Sequence, residues 1–207
     1  MIPTAMKLYF APGACSLSPH IVMHEAGLDF EPIMVSTKTH QLVDGTDYYG
    51  INPNGYVPLL ELDNGDRLTE GPAIVQYIAD LVPTKNLAPA NGSMERYRLQ
   101  TWLNFISSEL HKGIGGCFNP AMPEDAKVLM RAKGLDRLKW VDAQLAGKQY
   151  LMGDNFCVAD AYLFTVANWT KFVDIDISGL TNLGAFMGRM AARPAVQAAM
   201  KAEGLIK

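Results

Sequence analysis

The stretch Met6-Lys-Leu-Tyr-Phe-Ala-Pro-Gly-Ala-Cys-Ser-Leu-Ser-Pro-His20 decides how this chain is read. Residues 7–10 form a short apolar strand, halted by Ala11-Pro12-Gly13. Ser18-Pro19 then opens a helix, with serine as N-cap and proline in the first turn. Ile21, Val22 and Ala26 share one face of it, and Gly27 stops it. Working outward, residues 30–35 read as a second strand and 57–62 as a third, while 37–50 is polar and irregular with room for a short helix. Asp63-Asn64-Gly65-Asp66 carries a strong hairpin signal, so 67–69 should return antiparallel. Gly71-Pro72 opens a further helix, with Ile74, Val75, Ile78 and Leu81 as its expected buried stripe.

Residues 83–93 are rich in Pro, Asn, Ala and Gly and read as a linker. Everything beyond has helical period. Ser93 caps a long helix expected to reach about residue 114, followed by helices over 123–145, 158–172, 183–192 and 194–203. The expected plan is a small α/β domain over 6–83 and an all-α helical domain over 92–207. Met6 reads as a natural start, with residues 1–5 as an extension left out of the fold argument.

Composition bounds the function. With 207 residues, 49% hydrophobic and 19% charged, the chain can bury a core without staples. A net charge of −3 argues against nucleic acid or an anionic membrane as partner. Cys15, Cys117 and Cys157 form an odd, scattered set with no disulfide framework and no metal-ligand spacing, so no metal is expected and a reduced, cytoplasmic setting fits.

Three segments carry chemistry. Cys15 lies in a strand-to-helix loop, where the partial positive charge and free N–H groups of a helix start favour a thiolate, its own or that of a thiol set beside it. Its string Cys15-Ser16-Leu17-Ser18 lacks the second cysteine of a dithiol oxidoreductase but can form a mixed disulfide with a small thiol. The plainer alternative is a small buried apolar residue. In Tyr56-Val57-Pro58, a cis bond before Pro58 would turn the Val57 N–H and C=O outward to pair with a peptide ligand. Glu70-Gly71 opens a helix. There Glu70 either caps the helix or takes a ligand ammonium while the Gly71 N–H takes a carboxylate.

These three segments, with Ile51-Asn-Pro-Asn-Gly-Tyr-Val-Pro58, Leu68-Thr-Glu-Gly-Pro-Ala-Ile-Val-Gln-Tyr77, Trp102-Leu-Asn-Phe-Ile-Ser-Ser-Glu-Leu-His-Lys112 and Val158-Ala-Asp-Ala-Tyr-Leu-Phe164, resemble the bacterial, cysteine-containing beta class of glutathione transferases. The resemblance runs in order along nearly the whole chain. It implies an α/β thioredoxin-like first domain, then the all-α domain, assembled as a homodimer. It implies a detoxifying transferase that joins reduced glutathione, a co-substrate and not a bound cofactor, to a small hydrophobic electrophile.

The resemblance also implies roles. Cys15 contacts the glutathione sulfur and can form a mixed disulfide with it. Val57 holds the cysteinyl backbone, and Glu70 and Gly71 the γ-glutamyl group. Asn104, Ser108 and His111 lie near the ligand, with His111 stabilising or deprotonating the thiol. Phe118 and Trp169 are expected to wall the electrophile pocket between the domains; packing aromatics are the alternative. The class lysine before the Asn-Pro string is replaced by His40, with Lys38 two residues earlier, so either could meet the glycyl carboxylate. Three glycines stand within 113–119, where the class is bulkier, and Cys157 replaces the usual Ser or Thr of a helix-capping string. Glutaredoxin-like thiol–disulfide exchange through Cys15, and a non-catalytic ligand-binding role, are the competing readings.

Overall fold

The computed structural model describes residues 6–207 and divides the chain into two compact units. The expected extension, residues 1–5, lies outside the described residues. The first unit holds residues up to 87 together with Pro194–Lys207, and the second holds Ala88–Arg193.

In the first unit, β1 (Met6–Phe10), β2 (Phe30–Ser36), β3 (Gln41–Leu42), β4 (Leu59–Glu61) and β5 (Arg67–Thr69) form one sheet in the order β3-β2-β1-β4-β5. β1 runs parallel to β2 and antiparallel to β4, with Leu8 opposite Pro32 on one side and Leu60 on the other. The hairpin joining β4 to β5 closes through Leu62 N–H to Asp66 C=O at 2.8 Å. Side chains alternate across β1. Tyr9 joins Val35, Tyr48 and Leu59 on one face. Phe10 lies on the opposite face, its ring 5.3 Å from that of His20 on helix α1 (Leu17–Ala26). Helix α2 (Gly71–Leu81) packs against α1.

Four sequence expectations need correction here. Helix α1 starts at Leu17, and Ser18 is not its N-cap. Ser16 stands before the helix, but its hydroxyl bonds Ala11, accepting from the N–H at 3.1 Å and donating to the C=O at 3.3 Å. It ties the loop back to β1 and makes no capping bond to the helix. β4 begins at Leu59, two residues later than expected, just after the cis Val57-Pro58 peptide. Leu81 is 43% exposed at the last turn of α2, and Ala79 is buried instead. Finally, helix α8 (Pro194–Ala202), expected with the helices before it, groups with the first unit. It packs on α1, and the Glu203 carboxylate beyond it reaches His20 Nδ1 and the Gly13 N–H, both at 2.8 Å.

The second unit is helical. α3 (Met94–Phe105) is capped by Ser93, whose hydroxyl accepts from Arg96 N–H at 3.1 Å. The expected long helix continues, but Ile106–His111 is a π-helical turn before α4 (Lys112–Gly115). α5 (Glu124–Gln144) lies beside it and α6 (Val158–Asn168) is buried along nearly its whole length. α7 (Thr181–Ala191) has no cap of its own. The Asp142 carboxylate of α5 accepts from Leu183 N–H at 2.8 Å in its place. The α6 box is complete. Asp160 accepts from Cys157 N–H at 2.7 Å and from Leu151 N–H at 2.8 Å, while the Cys157 sulfur, a weak acceptor, faces the first turn. Among the described residues, no helix is long and apolar enough to cross a membrane.

Candidate functional site

The loop between β1 and α1 presents Cys15 just before the first turn of a ten-residue helix. Two backbone bonds build its turn, Leu17 N–H to Ala14 C=O at 3.0 Å and Ser18 N–H to Cys15 C=O at 3.2 Å. The thiol is half-buried and donates to the Val57 carbonyl at 3.3 Å. The two segments expected to share one ligand sulfur are thus adjacent. Cys117 and Cys157 differ in being buried, and burial pushes both thiols up, Cys157 with the help of the neighbouring Asp160 carboxylate.

The peptide before Pro58 is cis. Tyr48 and Asn52 hold the preceding carbonyl, that of Tyr56, through a hydroxyl at 3.0 Å and an amide at 2.8 Å. Gly71 lies against the same proline: a Cβ built there would stand 3.8 Å from Pro58 Cγ. Glu70 has φ 68 and ψ 110, a backbone region that a side chain other than glycine rarely adopts. Its side chain makes no capping bond, while its carbonyl accepts from Ala73 and Ile74 at 2.9 and 3.0 Å. Capping, one of the two roles open from the sequence, is therefore absent. What remains is an exposed carboxylate beside the α2 N-terminus, held there by a strained backbone.

His40 also has a positive φ, 53. Its ring packs at a tilt against Tyr49, 4.7 Å between ring centres, and its Nδ1 meets the Gly55 carbonyl at 3.0 Å. A carbonyl only accepts, so Nδ1 donates. Gly55 is required here: a Cβ would fall 2.6 Å from Tyr49 Cε1 and 2.9 Å from His40 Nδ1. Lys38 is exposed nearby in sequence.

In the second unit, Asn104 and Ser108 are exposed on the α3–π segment, the Ser108 hydroxyl donating to the Asn104 carbonyl at 2.9 Å. His111 ends the π-turn and is half-buried. Its Nδ1 lies 2.6 Å from the Tyr162 hydroxyl, and its ring stands edge-on to Trp169 at 4.9 Å. Burial, with Lys112 next to it, lowers the His111 pKa to about 4, so the imidazole is neutral at pH 7. Phe118 meets Trp169 edge-on at 6.0 Å, 48% exposed where Trp169 is 8% exposed. The structure therefore brings the two proposed wall aromatics together with the histidine. It also adds Tyr162, which the sequence reading passed over. The signal was there, a lone phenol in a run 158–164 that is apolar apart from Asp160, since a buried hydroxyl needs a partner. The described residues hold no cluster suited to a metal ion.

The chain is similar to known proteins along nearly its whole length. Residues 13–81 match the model of the glutathione S-transferase N-terminal domain, and residues 105–194 that of the C-terminal domain. Glutathione S-transferase GstA of Escherichia coli O157:H7 is 46% identical, over 97% of this chain and all of its own length. The solved ternary complex of BphK, a bacterial GST, is 56% identical with a TM-score of 0.94, over 96% of this chain and 99% of that one. The beta-class enzyme of Sphingomonas chungbukensis is 46% identical, also at 0.94, over 97% of this chain and all of that one. With its Cys15 loop, cis Val57-Pro58 and Glu70-Gly71 helix start, the chain belongs to the glutathione S-transferase family, in its bacterial beta class.

Proposed function

We propose that this transferase conjugates reduced glutathione to small hydrophobic electrophiles, the thiolate being stabilised at the start of α1 with help from Cys15 and His111. The observation that carries the reading is the Cys15 thiol at 3.3 Å from the Val57 carbonyl, beside the α1 N-terminus. On this reading Val57 pairs with the cysteinyl moiety, Glu70 takes the γ-glutamyl ammonium and Gly71 its carboxylate. His40, or Lys38, meets the glycyl carboxylate, and Asn104 and Ser108 add polar contacts. Phe118 and Trp169 form the apolar wall against the electrophile. A neutral His111 with a pKa near 4 is a poor base for a thiol of pKa about 8.5. Its useful property is an N–H that can donate to a thiolate.

A homodimer in the cytoplasm, serving detoxification, completes the reading. Supporting the dimer is an aromatic surface on α3 and α5, where Trp140 stands 5.4 Å from Trp102 and 4.7 Å from Phe105 and remains 44% exposed. Light scattering that finds only monomer at micromolar protein would sink the dimer.

Cys15→Ala separates the chemistries. If the attacking sulfur is that of glutathione, the variant keeps measurable conjugation of an aryl halide. It loses disulfide exchange, which needs a protein sulfur, and no longer gains the mass of one glutathione under oxidising conditions. Abolished conjugation with glutathione still bound would make Cys15 the nucleophile instead.

A further inference from the structure

The Tyr162–His111 contact has a direction. At 2.6 Å it is shorter than N–H···O bonds usually are and falls within the range of hydroxyl donors. A phenol is a good donor, and the bare nitrogen of a neutral imidazole is a good acceptor. Tyr162 therefore gives its proton to Nδ1, and the ring's own hydrogen must sit on Nε2. Nothing else among the described residues hydrogen-bonds that second nitrogen, so it is left for a ligand.

Two features hold this arrangement. Tyr162 is 3% exposed on α6, a helix buried along nearly its whole length. On the other side, the π-turn Ile106–His111 changes the register of the helix that carries the histidine. One such turn rotates the downstream helix by roughly one residue, about 100°. The ring then stands edge-on between Tyr162, at 5.8 Å and 85°, and Trp169, at 4.9 Å and 72°. The ring thus has two aromatic neighbours besides its hydrogen bond.

We propose that Tyr162 is a positioning residue of the transferase reaction: it fixes His111 as the Nε2–H tautomer, so that the ring offers the reacting sulfur a hydrogen-bond donor. This rests on the reading that His111 acts on glutathione. A ring with a free Nε2 lone pair would repel the thiolate that the enzyme has to stabilise; a ring with Nε2–H attracts it. The low basicity of the ring agrees, since a proton is neither taken up nor released near neutral pH.

The test is made on the intact protein carrying ¹⁵N-labelled histidine. In the wild type, long-range ¹H–¹⁵N spectra should show a hydrogen-bonded, unprotonated Nδ1 and a protonated Nε2 for His111. Tyr162→Phe should lose the hydrogen-bond shift at Nδ1 and lower kcat about tenfold, the low end of what an orienting partner of a functional histidine is worth. Its KM for glutathione should stay within about twofold, so that the loss is not one of binding. His111→Gln, which sets an amide N–H near the Nε2 position, should keep more activity than His111→Asn, which mimics only the Nδ1 side. A protonated Nδ1 in the wild type overturns the proposal, as does an unchanged kcat in a folded Tyr162→Phe. Wild-type conjugation by His111→Ala would instead overturn the underlying reading and, with it, the role of the tyrosine in the reaction; the tautomer signal would not be affected.

Discussion

The Glu203 carboxylate accepts from the Gly13 N–H at 2.8 Å across 190 residues of sequence, two positions before Cys15. Its other oxygen meets His20 Nδ1, also at 2.8 Å, with both side chains fully buried. A C-terminal residue thus braces the loop that presents the candidate thiol. Glu203→Ala removes one acceptor from that loop and strands His20 Nδ1. We expect a loss of at least about 1–3 kcal/mol in urea unfolding, the cost of a buried polar atom left without a partner. A weaker apparent affinity for glutathione should accompany it. Unchanged stability would mean that water replaces the carboxylate.

Cys157 holds an extended conformation, φ −135 and ψ 168, which suits a β-branched cap. Its sulfur faces the first turn of α6 as a weak acceptor. Cys157→Thr should stabilise the protein by about 0.5–1 kcal/mol, the scale of an oxygen cap. A lower melting temperature would show that the thiol is worth more as apolar filling.

A buried carboxyl and a half-buried imidazole pull the acid stability in opposite directions. Burial raises Asp160 to about 6 against the pull of the Leu151 and Cys157 N–H groups. Its folded pKa exceeds the unfolded one, so its contribution to stability grows as pH falls from about 6 to 4. His111, depressed to about 4, does the reverse: its contribution is present above the unfolded pKa of about 6.5 and is lost as pH falls through 4. Unfolding free energies between pH 4 and 6.5 should therefore respond oppositely to the two substitutions. Asp160→Asn should make stability fall more steeply with acid, His111→Gln less steeply. Parallel curves would refute the assignment.

Gly115 and Gly116 differ sharply. A Cβ at Gly115 meets His111 Cδ2 and Trp169 Cζ3 at 3.5 Å, ordinary contact, whereas one at Gly116 falls 2.0 Å from Met130 Cε. Gly115→Ala should be tolerated and gain up to about 1 kcal/mol of helix propensity. Gly116→Ala should give less, because Met130 must swing aside. Gly115→Leu would fill space beside the histidine and should raise KM for bulky aromatic electrophiles while leaving that for glutathione unchanged.

The sequence made the first unit legible wherever a local rule had no competitor. Gly27 ends α1 at φ 69, Asp63–Asp66 turns the hairpin, and Ser93 caps α3. Misreadings arose where a side chain had a distant partner. Ser16 serves Ala11 instead of the helix, and no spacing rule shows that. The apolar face of α8 announces that the helix is buried, but periodicity cannot say against which unit. The π-turn is silent because Ile106-Ser-Ser-Glu-Leu-His111 contains neither Gly nor Pro. At the site, motif strings picked out Cys15, Val57, Glu70 and His111 one by one. Their hydrogen-bond partners, above all Tyr162, came only with the folded chain.

The return of α8 to α1 sets an order of events during synthesis. The residues that complete the first unit are translated after the whole of 88–193. A nascent chain halted before Pro194 carries β1 to α2 but lacks the helix and the carboxylate that close over them. On the ribosome, the helical unit can therefore mature first, and the unit begun earliest finishes last. Arrested chains ending before and after residue 203 should show it, the shorter ones leaving α1 open to proteolysis. A truncated chain would have the Cys15 loop but not the carboxylate that bonds Gly13 and His20.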